Sequence, residues 1–260
     1  MMQTIYWLIL GFVFLLLIFL PRVGLLAQYR KWRTAMEREK VEDALKHLLD
    51  RQSEGRFGSL ESLSGTLGMR PNRIIRLIQK MEAQGLVVSR GSQLQLTAAG
   101  ERWAIHIVRA HRLWERYLAD EARMPLNQIH RLAHRREHTL SEQQLDELDA
   151  ALGHPTRDPH GDPIPSREGT IDELAAVQLT ELLPGERGRV ARVSDRDPQR
   201  LRYLGELGLY PGAEVTLIEI LPFDGPMRLR VAGNEHMISR PLAAAVSVDR
   251  LEPNDAPNEA

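Results

Sequence analysis

Five of the nine histidines fall between His106 and His138, a clustering that composition alone does not produce. Two runs in that window carry ligand spacing. In His111-Arg-Leu-Trp-Glu115 an imidazole and a carboxylate stand four residues apart, on one face of a helix. In the second run, spacings of four, seven and eight residues align His130 with His134, Glu137 and His138 on one helical face. A single His–Glu pair of this kind is more often a surface ion pair. The second run differs, because it is rich in imidazole and lacks Lys, which is unusual for a solvated face. Nitrogen and oxygen donors repeated along two helices point to a divalent-metal site. His134-Arg-Arg-Glu137-His138 also fits the inverted HxxEH pattern of zinc peptidases, with Glu137 as general base. That alternative leaves His111, Glu115 and His130 without a role. The chain has no cysteine, which excludes disulfides and thiolate metal sites.

Two helices must present these ligands. Ala98 to Arg123, capped by Thr97, reads as one, and Leu126 to Leu140, following Pro125, as the other. Upstream, Val41, Leu45, Leu48 and Leu49 recur at helical spacing on a helix that ends near Gly55. Ser59 then caps a short helix bearing Leu60, Leu63 and Leu67. Pro71 opens a third helix with Ile74, Leu77, Ile78 and Met81 as its buried stripe and Gly85 as its stop. Leu86 to Arg90 and Gln93 to Thr97 flank Gly91-Ser92, a two-residue hairpin turn. Three helices and a hairpin in this order make a winged helix, whose third helix exposes Asn72, Arg73 and Arg76 where a recognition helix meets bases and phosphates. Ile75 lies on the same exposed face, an awkward place for an apolar residue, where it either meets a thymine methyl or weakens the site. The net charge of the whole chain is −1, so nucleic-acid affinity must come from a local patch. Gly55 to Leu96 supplies one, with six Arg or Lys against two Glu.

Thr4 to Leu20 is uncharged and almost wholly apolar, at the lower length limit for a bilayer span. Met1 to Gln3 lacks the basic residue of a signal peptide, and Arg22, Arg30, Lys31 and Arg33 follow the segment. The expectation is therefore a single-pass anchor in the cytoplasmic membrane, with the C-terminal bulk in the cytoplasm. From Gln28 to Ser53 the chain lacks Gly and Pro and reads as a nearly continuous helix.

Over about residues 37 to 252 the chain resembles the DtxR/MntR family of metal-dependent repressors. The resemblance rests on MEAQGLVVSRGSQLQLTAAG, RAHRLWERYLAD, IHRLAHRREHTLS and HPTRDPHGDPIP, the last with Asp158 where the family usually has Cys. It implies a winged helix, a helical metal-binding and dimerisation domain, and an SH3-like C-terminal domain. It also implies a primary site of Asp43, His134, Glu137 and His138 and an ancillary site of His111, Glu115 and His130, with a further carboxylate from Asp197. His134 stands where familiar members have Cys or Glu, and Arg200 stands near a position where the family can offer Gln. Residues 180 to 251 resemble a FeoA-type SH3-like barrel, on LTELLPGERGRVARV, PQRLRYLGELGLYPG and AEVTLIEIL.

The expected fold class is thus mainly α with small β elements. Its parts are an anchor and basic juxtamembrane segment (1–34), a winged helix (35–100) and a metal-binding and dimerisation domain (101–165). A linker (166–179, with His160 to Val177 rich in Gly, Pro and charge), an SH3-like barrel (180–252) and a polar tail (253–260) complete it. The expected function is a dimeric, metal-dependent regulator that binds palindromic double-stranded DNA and is not an enzyme. A cation joining Asp43 to the other primary ligands would fix the angle of the recognition helices, set about 34 Å apart across one DNA turn. Nitrogen and oxygen donors suit Mn(II) and Fe(II), while zinc binds such sites regardless. A membrane-bound accessory of a ferrous-iron or manganese transporter, acting through the FeoA-like barrel, is the second reading.

Overall fold

The computed structural model describes residues 24–172 and 175–252, together with Trp7, Leu10 and Leu20. The chain divides into two compact units, Met1–Ile105 and His106–Ala260.

In the first unit, helix α1 (Leu25–Ser53) buries Val41, Ala44, Leu45 and Leu48, an i, i+3, i+4, i+7 stripe. Helix α2 (Leu60–Leu67) starts at Ser59 with a reciprocal cap: Ser59 Oγ accepts the Ser62 amide at 3.1 Å, and Ser62 Oγ accepts the Ser59 amide at 2.9 Å. Helix α3 (Pro71–Ala83) has Pro71 in its first turn and buries Ile74, Leu77 and Met81. Strands β1 (Val87–Arg90) and β2 (Gln93–Leu96) pair antiparallel, with Arg90 opposite Gln93 across the Gly91-Ser92 turn. Gly58 bridges to Leu94 at the outer edge of this wing. One apolar core joins these elements, from Val41 through Leu63, Ile74 and Leu94 to Ala104. The three helices and hairpin therefore occur in the expected order.

The membrane expectation is corrected. Thr4–Leu20 lies almost wholly outside the described residues, and among the described residues no helix is long and apolar enough to cross a membrane. Helix α1 itself carries Arg30, Lys31, Arg33, Glu37 and Arg38 in its first half, charges that a hydrocarbon core accepts only at high cost.

Helix α4 (Ala98–Asp120) contains the boundary between the units. Its continuation in the second unit is followed by α5 (Leu126–Arg136) and α6 (Glu142–Ala151). Buried Arg109 of α4 donates to Asp146 and Asp149 of α6, both at 3.0 Å, beside a small apolar cluster of Ala110, Leu113, Leu145 and Ile164. Helix α5 stops earlier than the expected Leu140. Glu137 is its C-cap, and Thr139 Oγ1 turns back to the Arg136 carbonyl at 2.7 Å, so Glu137 and His138 sit in a turn.

The expected linker starting at His160 is corrected as well. Residues 160–165 are buried, and the Val193 amide donates to the His160 carbonyl at 2.9 Å. Gly161 adopts φ +90°, and a Cβ there would stand 2.0 Å from the Ala191 carbonyl oxygen. Only glycine fits so close an approach with that backbone. The Gly and Pro content marks a packed turn, not a free connector.

The C-terminal part is a six-stranded antiparallel sheet with SH3-like organisation. Its strands are β3 (Val177–Gln178), β4 (Arg187–Val193), β5 (Glu214–Ile220), β6 (Met227–Val231), β7 (Asn234–Ile238) and β8 (Val246–Leu251), in the spatial order β3-β8-β4-β5-β6-β7. Register shifts at Val190/Arg192 and Leu217/Glu219 bend the sheet over its core. Helix α7 (Pro198–Glu206) adds Leu201 and Leu204 to that core.

Candidate metal centre

The periodicity of α4 places His111 and Glu115 one turn apart and turns both inward, with Glu115 fully buried. His111 Nε2 lies 3.0 Å from Glu115 Oε1 and 3.1 Å from His130 Nδ1, which α5 supplies. His130 Nδ1 is in turn 3.0 Å from Glu115 Oε1 and 3.0 Å from Asp195 Oδ2. Each of these four residues offers a donor atom within 4.8 Å of the other three. Two imidazoles and two carboxylates so close form a set that one divalent cation satisfies at once.

Without a cation, protons must hold the cluster together. His130 is pushed up to about 10, first by its bond to Asp195 and then by Glu115, against the opposing effect of burial. Burial alone would raise Glu115, but its bonds to His111 and His130, together with the neighbouring His160 imidazole, hold it well below the usual carboxylate range. Burial alone would raise Asp195 too, but its bond to His130 and the charges of His130 and His160 together hold it down to about 2.

A second group shares Glu115. Donor atoms of Glu115, Asp158 and His160 lie within 4.8 Å of one another, and all three residues are buried. His160 Nδ1 stands 3.6 Å from Glu115 Oε2. Neither nitrogen of His160 has a hydrogen-bond partner, and neither has Glu115 Oε2. Buried polar atoms are rarely left in this state. Asp158 Oδ1 accepts the amides of His160 and Asp162, both at 2.9 Å, while burial, Asp162 and Glu115 together raise its carboxyl to about 7. An orphaned ring nitrogen facing an orphaned carboxylate oxygen fits a metal, and the donor chemistry is that of a hard or borderline cation.

The third set centres on Glu137, which is buried at the end of α5. Its Oε1 lies 3.0 Å from His134 Nδ1 and 3.6 Å from His138 Nε2. Its Oε2 is hydrogen-bonded to His111 Nδ1. One imidazole therefore links the two expected ligand sets, with Glu137 on one nitrogen and Glu115 with His130 on the other.

The structure thus gathers His111, Glu115 and His130 in one cluster and His134, Glu137 and His138 in another. Asp43 is half-buried on α1, in the first unit. Asp197, expected as the extra carboxylate, is not in the cluster. It caps α7, accepting the Gln199 and Arg200 amides at 2.9 and 3.3 Å, and its other oxygen pairs with Arg200 at 3.3 Å. Asp195 stands at His130 instead. Asp158, His160 and Asp195 are the residues that sequence reasoning missed. Asp197 before Pro198 is a helix-start signal, and that signal was the clue that Asp197 was already committed. In the first unit, Asn72, Arg73, Ile75 and Arg76 are all exposed on α3.

Residues 97–166 match the family of the iron dependent repressor, metal binding and dimerisation domain, and residues 177–250 match the FeoA domain. The chain is 30% identical over 227 residues to the iron-dependent repressor IdeR of Mycobacterium tuberculosis, an alignment covering 82% of this chain and 98% of that protein. It is 28% identical over 190 residues to the diphtheria toxin repressor of Corynebacterium diphtheriae, covering 68% of this chain and 82% of the relative. Its fold is similar to a manganese-dependent transcriptional repressor solved in complex with manganese, with TM-score 0.72 and 32% identity over 81% of this chain and 100% of the other. These relatives are regulators and not enzymes, so the HxxEH peptidase reading falls, and nothing in them favours a transporter accessory. Identity over nearly the full length of a relative, together with both domain matches, establishes that the chain belongs to the DtxR/IdeR family of metal-dependent transcriptional repressors.

Proposed function

We propose that this protein binds a palindromic operator as a homodimer when Mn(II) or Fe(II) is available, and releases it when the metal is withdrawn. In this reading His111, Glu115, His130 and Asp195 form one ligand set, and Asp158 and His160 extend it through the second oxygen of Glu115. His134, Glu137 and His138 form the other, and Asp43 joins them from α1. The observation that carries the reading is the shared Glu115, with one oxygen in a cluster held by protons and the other buried without a hydrogen bond.

A bound divalent ion supplies the positive charge that protons otherwise provide among these carboxylates and imidazoles. The remaining work belongs to the chain. Glu115 stays ionised, and His111 is hydrogen-bonded to Glu137 through Nδ1 while its Nε2 edge faces Glu115. His130 must give up its proton to become a ligand. Asn72, Arg73 and Arg76 are exposed to meet phosphates and base edges, and Ile75 to meet a thymine methyl. The coupling is a population shift: ligands from two units bias the dimer toward its DNA-competent arrangement only if that arrangement binds the cation more tightly.

The test is fluorescence anisotropy of the full chain against fragments of its source genome, with Mn(II) or Fe(II) and with chelator. Selected palindromic fragments should bind only with metal, and Asp43→Ala or Glu137→Ala should remove that dependence. Binding that ignores metal, or no preference among fragments, overturns the proposal.

A further inference from the structure

Helix α3 sorts its residues by direction. At about 3.6 residues per turn, each position is rotated roughly 100° from the one before it. Ile74, Leu77 and Met81 are buried in the core of the first unit. The opposite direction belongs to Asn72, Arg76 and Gln79, an i, i+4, i+7 ridge whose three residues are all exposed. Arg73 stands about 100° round from Asn72, at the edge of the exposed face and on the side of Lys80.

The ridge also differs in how its polar groups are engaged. Lys80 and Glu82 of the same helix bond within the chain, to Glu37 at 3.2 Å and to Ser89 Oγ at 2.5 Å. Among the described residues, the side chains of Asn72, Arg76 and Gln79 make no such bond. No acidic residue precedes Glu82 on α3, so nothing on the helix competes for Arg76 or repels a polyanion. Ile75 is the single large apolar residue on this face, whereas a protein-binding surface clusters several apolar or aromatic anchors.

An amide and a guanidinium can each place two hydrogen-bonding groups in one plane. In the major groove of B-DNA, Asn or Gln matches the N6 and N7 edge of adenine, and Arg matches O6 and N7 of guanine. From Asn72 to Gln79 the helix rises about 10 Å, the height of roughly three base-pair steps. We propose that Gln79 is a base-reading residue, and that Asn72, Arg76 and Gln79 read adenine, guanine and adenine, in that order, within about four consecutive base pairs of each half-site. Arg73, off the ridge, takes a phosphate instead and supplies affinity without sequence preference. This rests on the operator reading above and adds the sequence class that the operator must have.

The experiment selects bound duplexes from a random pool with the full chain and Mn(II). Anisotropy then compares the best site with its single-base changes across a salt series. Each half-site should carry the three purines. The unmodified chain should prefer adenine about tenfold at the position that Gln79 reads, and Gln79→Ala should equalise the four bases there alone. Arg76→Ala should do the same at the guanine. Alanine favours helix at these exposed positions, so both variants fold. Arg73→Ala should weaken every sequence by the same factor and reduce the salt slope by about 2, one phosphate in each half-site. Selected half-sites without these purines overturn the proposal. So does Gln79→Ala with its base preference unchanged, or with a loss spread evenly over all sequences. Preferences that follow the variants in chelator as well as in Mn(II) uphold it and overturn the metal dependence alone. No sequence preference under either condition overturns both.

Discussion

The two parts of the second unit are stabilised in opposite ways. The barrel buries a wholly apolar core running from Leu179 through Leu217, Met227 and Leu229 to Val248, and among the described residues no polar or charged side chain after Asp162 in the chain is buried. The helical part has a small apolar cluster around Leu113 and Leu145, yet it buries Arg109, His111, Glu115, Glu137, Asp158, His160 and Asp162. Apolar burial needs nothing from outside the chain. A buried carboxylate does, and it is tolerated only when paired and hydrogen-bonded. The barrel is therefore self-sufficient, while the helical part is built to be completed by a cation.

The largest expected effect of a single substitution breaks the barrel. Leu217 is fully buried in the sheet, and Leu217→Ala should cost about 2–5 kcal/mol of stability, read from chemical denaturation. Mn(II) affinity of the folded fraction should not change; a matching loss of affinity would mean that the two parts are not energetically distinct. Glu115→Gln is the converse test. It keeps the volume but removes the charge shared by two ligand groups, and should lower Mn(II) affinity at least about 100-fold, beyond what changes to a ligand's outer partners cost. Stability of the metal-free protein should fall much less than in Leu217→Ala. For the native chain, Mn(II) at about 100 times its dissociation constant should add roughly 2.7 kcal/mol, which Glu115→Gln should abolish.

Titration sharpens the contrast further. His130, pushed up to about 10, carries a proton at neutral pH and must lose it to become a ligand. Metal affinity should therefore rise with pH, about tenfold per unit between roughly pH 7 and 9 for one proton released. In the metal-free protein the sign is reversed. A raised imidazole contributes stability that is fully present below its ordinary value of 6.5 and is lost as the pH climbs through about 10. Asp158, raised to about 7, adds a loss that begins near its ordinary 3.8 and runs through 7. Competition with a metal-indicator dye across pH measures the first slope, and thermal melts in chelator measure the second. A flat affinity profile would remove His130 from the ligand set.

What the sequence revealed follows the range of its signals. His111 with Glu115, and His130 with His134, share helical faces, so a period of four residues was enough to find them. The capped helix at Ser59 and the hairpin at Gly91-Ser92 are equally local. His160 and Asp158 reach Glu115 through a loop whose path depends on Gly161 seating against the Ala191 carbonyl, a tertiary contact with no periodicity. Composition marked that stretch as a linker because Gly and Pro serve tight packed turns as readily as flexible ones. The expectation also contains no helix at Glu142–Ala151, although Ser141 and Gln144 form a reciprocal cap there. At the N-terminus, the apolar run Thr4–Leu20 dominated the reading, while the charges of α1 showed only the element that follows it.

The smallest predicted effect separates two aspartates that the sequence places side by side. Asp195 and Asp197 flank Arg196, and either could supply a carboxylate to the helices. Local chemistry decides between them. Pro198 opens α7, and the free amides of Gln199 and Arg200 require an acceptor at the preceding residue, which Asp197 provides. That leaves Asp195 to reach His130 at 3.0 Å. Asp197→Ala should cost about 1 kcal/mol through the lost cap, with Mn(II) affinity unchanged. Asp195→Ala should leave helix α7 intact and lower Mn(II) affinity about tenfold, while His130 titrates closer to neutrality because its largest acidic partner is gone. Nuclear magnetic resonance of the histidine ring protons reads that titration directly. Should Asp197→Ala prove to be the variant that loses metal, the helix cap would be the ligand, and the division between a self-sufficient barrel and a cation-dependent helical part would no longer hold at this loop.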